Sequence, residues 1–143
     1  VAKVGGSLDA VDADLRPLER AGGKMILYHG WSDPDISPLS TIDYYDAVEK
    51  TAGPKTTSFL RLFMVPGMQH CGGGPGATTF DGVTALERWV ENGEAPEQML
   101  AEKILDGAVE MSRPLCVYPK RAVYRGKGDT NDAANFACEA PRP

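Results

Sequence analysis

Apolar positions along the chain fall into two short unbroken runs, each followed by a stretch with helical spacing. The first run is Lys24-Met25-Ile26-Leu27-Tyr28-His29-Gly30. Glycines bound it on both sides, the form of a buried parallel strand. The second runs from Ser58 to Val65, apolar apart from Arg61, and Pro66-Gly67 ends it sharply. Between the two, Leu39, Ile42, Tyr45 and Val48 recur at three-residue steps and predict a helix with a core-facing stripe. Ser37 is its expected cap, and Pro38 fits the first helical position, where the missing N–H costs nothing. Gly53-Pro54 stops it. After the second run, a glycine-rich loop from Gly67 to Gly76 leads into a second amphipathic helix, expected from about Thr79 to Glu91. Phe80, Val83, Leu86 and Val90 share one face of that helix, with Trp89 beside them, and Asn92-Gly93 closes it.

Strand, helix, strand, helix, with both strands apolar throughout, predicts parallel strands covered by helices, hence an α/β fold. Residues 1–21 form a polar lead-in with weak helical character at Leu15 and Leu18, and residues 22–93 form the core. Two strands make a poor independent sheet. Their partner strands are expected upstream, outside this chain. Beyond Gly93, residues 94–143 are richer in Pro, Arg and Ala and hold two of the three cysteines. This extension is expected to be an irregular tail wrapped over the core.

Composition narrows the picture. The 143 residues are 42% apolar and 24% charged, an ordinary balance for a globular domain. The net charge of −5 and the lack of any basic cluster argue against nucleic acid as a partner. No apolar stretch is long enough to span a bilayer, so no membrane role is expected. The chain has neither an initiator Met nor a recognisable signal peptide, and it is expected to be a piece or processing product of a longer protein. Three cysteines are an odd number: in an oxidising compartment two pair and one seeks a partner elsewhere. Zinc bound by His70, Cys71, Cys116 and Cys138 is disfavoured, because their spacing matches no common site.

In open α/β sheets, ligand sites lie beyond the carboxyl ends of the strands. The first strand ends into Ser32-Asp33-Pro34-Asp35 and the second into Gly67-Met68-Gln69-His70-Cys71. An aspartate loop and a histidine loop are therefore expected side by side, the arrangement in which a carboxylate orients an imidazole. The order Asp then His also fits the α/β-hydrolases, whose triad runs Ser, Asp, His. A Gly-x-Ser-x-Gly nucleophile elbow is absent. Gly30-Trp31-Ser32-Asp33-Pro34 ends in Pro, and Gly5-Gly6-Ser7-Leu8-Asp9 ends in Asp and follows no strand. Gly72-Gly73-Gly74-Pro75-Gly76 lacks the Lys-Ser/Thr pair of a phosphate cradle and reads as a flexible turn.

The segment Gly22-Gly23-Lys24-Met25-Ile26-Leu27-Tyr28-His29-Gly30-Trp31-Ser32-Asp33-Pro34 resembles the acid-bearing segment of the tannase and feruloyl esterase family. Asp43-Tyr44-Tyr45 fits the same pattern. Val65-Pro66-Gly67-Met68-Gln69-His70-Cys71 resembles its His-Cys segment. Arg113-Pro114-Leu115-Cys116-Val117-Tyr118-Pro119 and Asn135-Phe136-Ala137-Cys138 resemble the end of its members. The likeness runs in order from about Asp14 to Pro143.

The resemblance implies the C-terminal portion of an α/β-hydrolase fold and a secreted serine esterase, extracellular or periplasmic, acting on esters of aromatic acids. It implies Asp33 as acid and His70 as base. Cys71 would bridge to an absent cysteine next to the nucleophilic serine, and Cys116 would pair with Cys138. No cofactor is implied in this chain, since the family's calcium site belongs to a lid domain outside it. The implied partners are the rest of the hydrolase chain, with nucleophile and lid, and a small aromatic ester.

Plainer readings stand beside these. Asp35, two residues on, competes with Asp33 as a loop carboxylate, and Asp-Pro is often only a turn signal. His29 reads as a strand-end histidine bonded to backbone. Trp31 and Ile36 flank the acid as candidates for the pocket mouth or as ordinary loop anchors. The rival to an esterase is a non-catalytic binding or structural module derived from one. The state of Cys71, bridged or free under non-reducing conditions, discriminates the two.

Overall fold

A computed structural model describes residues 9–142. The Gly5-to-Asp9 stretch weighed above as an elbow lies mostly outside them. A short helix α1 (Arg16–Arg20) leads into strand β1 (Met25–Gly30). Helix α2 (Pro38–Ala52) and a 3-10 turn (Gly53–Ser58) carry the chain to strand β2 (Leu60–Val65), which pairs with β1 in parallel from Met25↔Leu60 to Gly30↔Val65. The predicted strand–helix–strand unit is therefore present. Pro38 occupies the first turn of α2, and the Ser37 side chain makes no capping bond. The locked φ of proline starts this helix without help from the serine.

Strand β2 is covered on both faces, which is why it is apolar but for Arg61. Leu60 and Leu62 pack with Phe59 and with Tyr45 and Val48 of α2. Phe63 and Val65 belong to a second cluster with Met68, Met99, Ala101 and Leu115. Arg61, the one polar residue of the strand, is buried beneath the ring of Trp89 and reaches Glu97 at 3.2 Å.

The second helix begins later than expected. Thr79 and Phe80 form a two-residue strand β3, Asp81 accepts a bond from the Thr84 amide at 2.9 Å, and α3 runs over Gly82–Asn92. Gly93, at φ +74, closes it in the left-handed conformation. The apolar stripes are only half right. Trp89, Tyr45 and Val48 are buried, whereas Leu39, Val83 and Val90 are 58%, 69% and 60% exposed. Among the described residues no element covers these helix side chains, and β1 has β2 as its only strand neighbour.

The expectation of an irregular tail is corrected. Strands β4 (Gln98–Leu105) and β5 (Ala108–Cys116) form a long antiparallel hairpin onto which β3 adds, and β6 (Arg121–Tyr124) pairs with β7 (Phe136–Glu139). Asp106 and Gly107 take φ of +51 and +82 at the hairpin tip. These left-handed values are what a two-residue type I′ turn requires, and Asp-Gly is a preferred pair for it. A disulfide joins Cys116 to Cys138, tying the end of β5 to β7.

Candidate active site

The two loops beyond the carboxyl ends of β1 and β2 are stitched together by backbone. The Trp31 amide donates to the Val65 carbonyl at 2.9 Å, and the Ser32 amide to the Met68 carbonyl at 3.0 Å. Gly30 permits this approach, since a methyl group there would collide with the carbonyl oxygens of Met68 and Gln69. Met68 is anchored in the core two residues before His70. The histidine loop thus leaves the sheet from a buried residue.

Asp33 and His70 meet. His70 Nδ1 lies 2.9 Å from Asp33 Oδ2. The other carboxylate oxygen, Oδ1, accepts the backbone amides of Asp35 at 2.9 Å and Ile36 at 3.0 Å. The Asp33 side chain is only 3% exposed, while that of His70 is 46% exposed. The Ile36 amide, followed by the Asp35 amide and His70, holds the Asp33 carboxyl well below the usual carboxylate range. In return, the hydrogen bond and charge of Asp33 raise the His70 pKa above its ordinary value. His70 Nε2 makes no hydrogen bond among the described residues and is free to take a proton from a hydroxyl group.

Asp35 contributes its backbone amide to this arrangement and is itself exposed. Asp33, Asp35 and His70 each offer a potential metal-ligand atom within 4.8 Å of the others. A cation fits poorly there. Both oxygens of Asp33 already accept N–H donors, and His70 Nδ1 is committed to one of them. Cys116 and Cys138 are bonded to each other, which removes them from any zinc site.

Cys71 is free and exposed, with a positive φ of +59. Few non-glycine residues adopt that conformation. Cys71 borders the same cleft as Gly30, Asp33, Met68 and His70. Neither Trp31 nor Ile36 borders it. Trp31 lines a separate groove with Met64, Pro66 and Tyr118. Ile36 joins the site through its backbone, with its side chain half exposed.

Sequence reasoning missed His29. Its Nε2 lies 3.1 Å from Asp33 Oδ2 and 3.2 Å from the Ile36 carbonyl, and its Nδ1 lies 2.6 Å from Thr41 Oγ1. The expected backbone bond is present, but it is one contact of three. The only available signal was the four-residue step to Asp33 across the strand end.

A family model described as tannase and feruloyl esterase matches residues 1–139. The mono(2-hydroxyethyl) terephthalate hydrolase of Piscinibacter sakaiensis is 51% identical over 135 residues, covering 92% of this chain and 22% of that protein. A probable feruloyl esterase B-2 of Aspergillus terreus is 38% identical over 147 residues, covering 89% of this chain and 28% of that protein. The crystal structure of feruloyl esterase B from Aspergillus oryzae superposes with a TM-score of 0.85 at 33% identity, over 96% of this chain and 31% of that one. The chain therefore spans less than a third of each of these relatives.

Proposed function

The chain belongs to the tannase and feruloyl esterase family, and from that premise we propose that it carries the acid and base of a serine carboxylic ester hydrolase acting on aromatic-acid esters, feruloyl, galloyl or related. The observation that carries the reading is the 2.9 Å contact from His70 Nδ1 to a nearly buried Asp33, with His70 Nε2 unbonded among the described residues. The nucleophilic serine is supplied from outside these 143 residues. In this reading residues 22–93 are the C-terminal portion of an α/β-hydrolase core.

The geometry suits each step. The serine hydroxyl attacks the ester carbonyl while His70 Nε2 takes its proton. Asp33 holds the ring in the tautomer with hydrogen on Nδ1 and stabilises the imidazolium that forms. His70 then returns the proton to the leaving alcohol. Water attacks the acyl-enzyme with His70 again acting as base, releasing the aromatic acid. Cys71 bonds the cysteine beside the nucleophile and holds the two loops at a fixed separation.

The protein works outside the cytoplasm, extracellular or periplasmic. The Cys116–Cys138 bond supports that compartment. No helix among the described residues is long and apolar enough to cross a membrane. The partners in this reading are the remainder of the hydrolase chain and a small aromatic ester, with no part for nucleic acid or lipid. No cofactor enters the chemistry of this chain, and the family's calcium site belongs to the lid. The 143 residues alone are inactive.

The test uses the full-length enzyme with ethyl ferulate and methyl gallate as probes. His70→Ala is expected to lower kcat by about 10⁴-fold or more, as loss of a triad base does. Retention of activity would overturn the assignment of the base.

A further inference from the structure

We propose that His29 is a positioning residue for the acid of this site: with Thr41 it forms a relay that fixes the Asp33 carboxylate toward His70. The inference rests on the reading of Asp33 and His70 as acid and base, and it extends the site to α2.

The hydrogen-bond inventory supplies the argument. His29 Nε2 faces two acceptors, Asp33 Oδ2 and the Ile36 carbonyl, and neither has a proton to give. The ring proton therefore sits on Nε2. Nδ1 is then an acceptor, and Thr41 Oγ1 donates to it at 2.6 Å. Thr41 makes no other side-chain bond among the described residues, so its proton is available for this contact. One tautomer satisfies all three contacts. Together with the amides of Asp35 and Ile36, His29 and His70 bring the donors on Asp33 to four, two on each oxygen.

The arrangement has a distinct chemical consequence. A carboxylate held only by the two amides on Oδ1 retains freedom to tip Oδ2 away from His70. The His29 N–H, on a side chain 11% exposed near the end of β1, closes that freedom by binding Oδ2 at 3.1 Å. The two acceptors at Nε2 fix the tautomer, and the Thr41 hydroxyl, donating to Nδ1, holds the ring in the orientation that keeps its N–H on the carboxylate. Both residues act through Asp33: His29 borders the cleft with its Nε2 turned to Asp33 and Ile36, and Thr41 does not border it.

Steady-state kinetics on the full-length enzyme with ethyl ferulate test this, using His29→Leu, His29→Gln and Thr41→Val beside His70→Ala. His29→Leu keeps bulk but removes the N–H. Its kcat is expected to fall about tenfold with KM changed by less than about twofold, the signature of a misaligned catalytic group rather than lost binding. The charged groups facing His70 are Asp33 and Asp35. With Asp33 loosened, the acid limb of kcat/KM should move to lower pH. The Gln amide can supply an N–H near the position of Nε2, so His29→Gln should recover most of kcat and return the limb. Full kcat in His29→Leu, or an equal loss in His29→Gln, overturns the proposal. Should His29→Leu fail to fold, Thr41→Val decides: a loss of about threefold with the same limb shift supports the relay, and unchanged kinetics overturn it. A fully active His70→Ala would instead sink the parent reading, whereas an inactive His70→Ala beside a fully active His29→Leu sinks this inference alone.

Discussion

The aspartate loop and the histidine loop leave adjacent strands in the same direction, yet they end very differently. The aspartate loop closes on itself. Asp33 is nearly buried, both its oxygens are saturated, and its donors come from its own turn, from β1 and from the neighbouring loop. The histidine loop opens outward. His70 is half exposed, its Nε2 is unbonded among the described residues, and Cys71 presents a free thiol at φ +59. Asp33 finds all its partners within this chain, whereas His70 Nε2 and the Cys71 thiol have none among the described residues. That asymmetry suits the proposed function, in which the orienting group is preorganised and the reactive nitrogen is left for a nucleophile outside these residues.

The comparison can be broken at the seam. Gly30→Ala in the full-length enzyme places a methyl group against the Met68 and Gln69 carbonyls and forces the loops apart. Separating Asp33 from His70 by about an ångström should lower kcat by about 100-fold, and the strain should cost about 1–3 kcal/mol of stability. Kinetics and thermal melting measure both. A variant with full rate and stability would show that the seam does not set the distance between acid and base.

The comparison can also be sharpened from outside the site. The Cys116–Cys138 bond ties β5 to β7 across a separation of 22 residues, and neither cysteine borders the cleft of Asp33 and His70. Replacing both cysteines with Ser should cost about 3 kcal/mol of stability, the chain-entropy value for a loop of that length. The kcat of the folded enzyme should stay unchanged at temperatures below the new melting point. A parallel fall in kcat would mean that the tail supports the site after all.

Much of this site was legible because strand ends obey a simple rule. Once two apolar runs were recognised as parallel strands, Asp33 and His70 had to emerge at the same edge. The antiparallel extension was harder to read. Pro114 interrupts the apolar pattern of β5, and β4 changes register between Lys103 and Ile104, which blurs its alternation. The Asp106-Gly107 pair was nevertheless a usable turn signal, flanked by Leu105 and Ala108. The exposure of Val83 and Val90 was not legible, since periodicity reports which residues share a face but not whether another layer covers it. The contacts of His29 depend on the path of the Asp33 turn and on where α2 sets Thr41. A one-dimensional pattern does not encode either.

The most direct test of the central claim is the pH dependence of kcat/KM in the full-length enzyme, compared between the native residue and Asp33→Asn. His70 must be unprotonated to act as base. Because Asp33 raises its pKa, the acid limb of the native enzyme should lie above the ordinary histidine value of about 6.5. Asn at position 33 removes the negative charge that favours the protonated ring. The limb should therefore move to lower pH, while the rate on the plateau falls by about 10⁴-fold. A limb that stays in place with the rate preserved would contradict the account, because Asp33 would then be neither the acid nor the partner of His70.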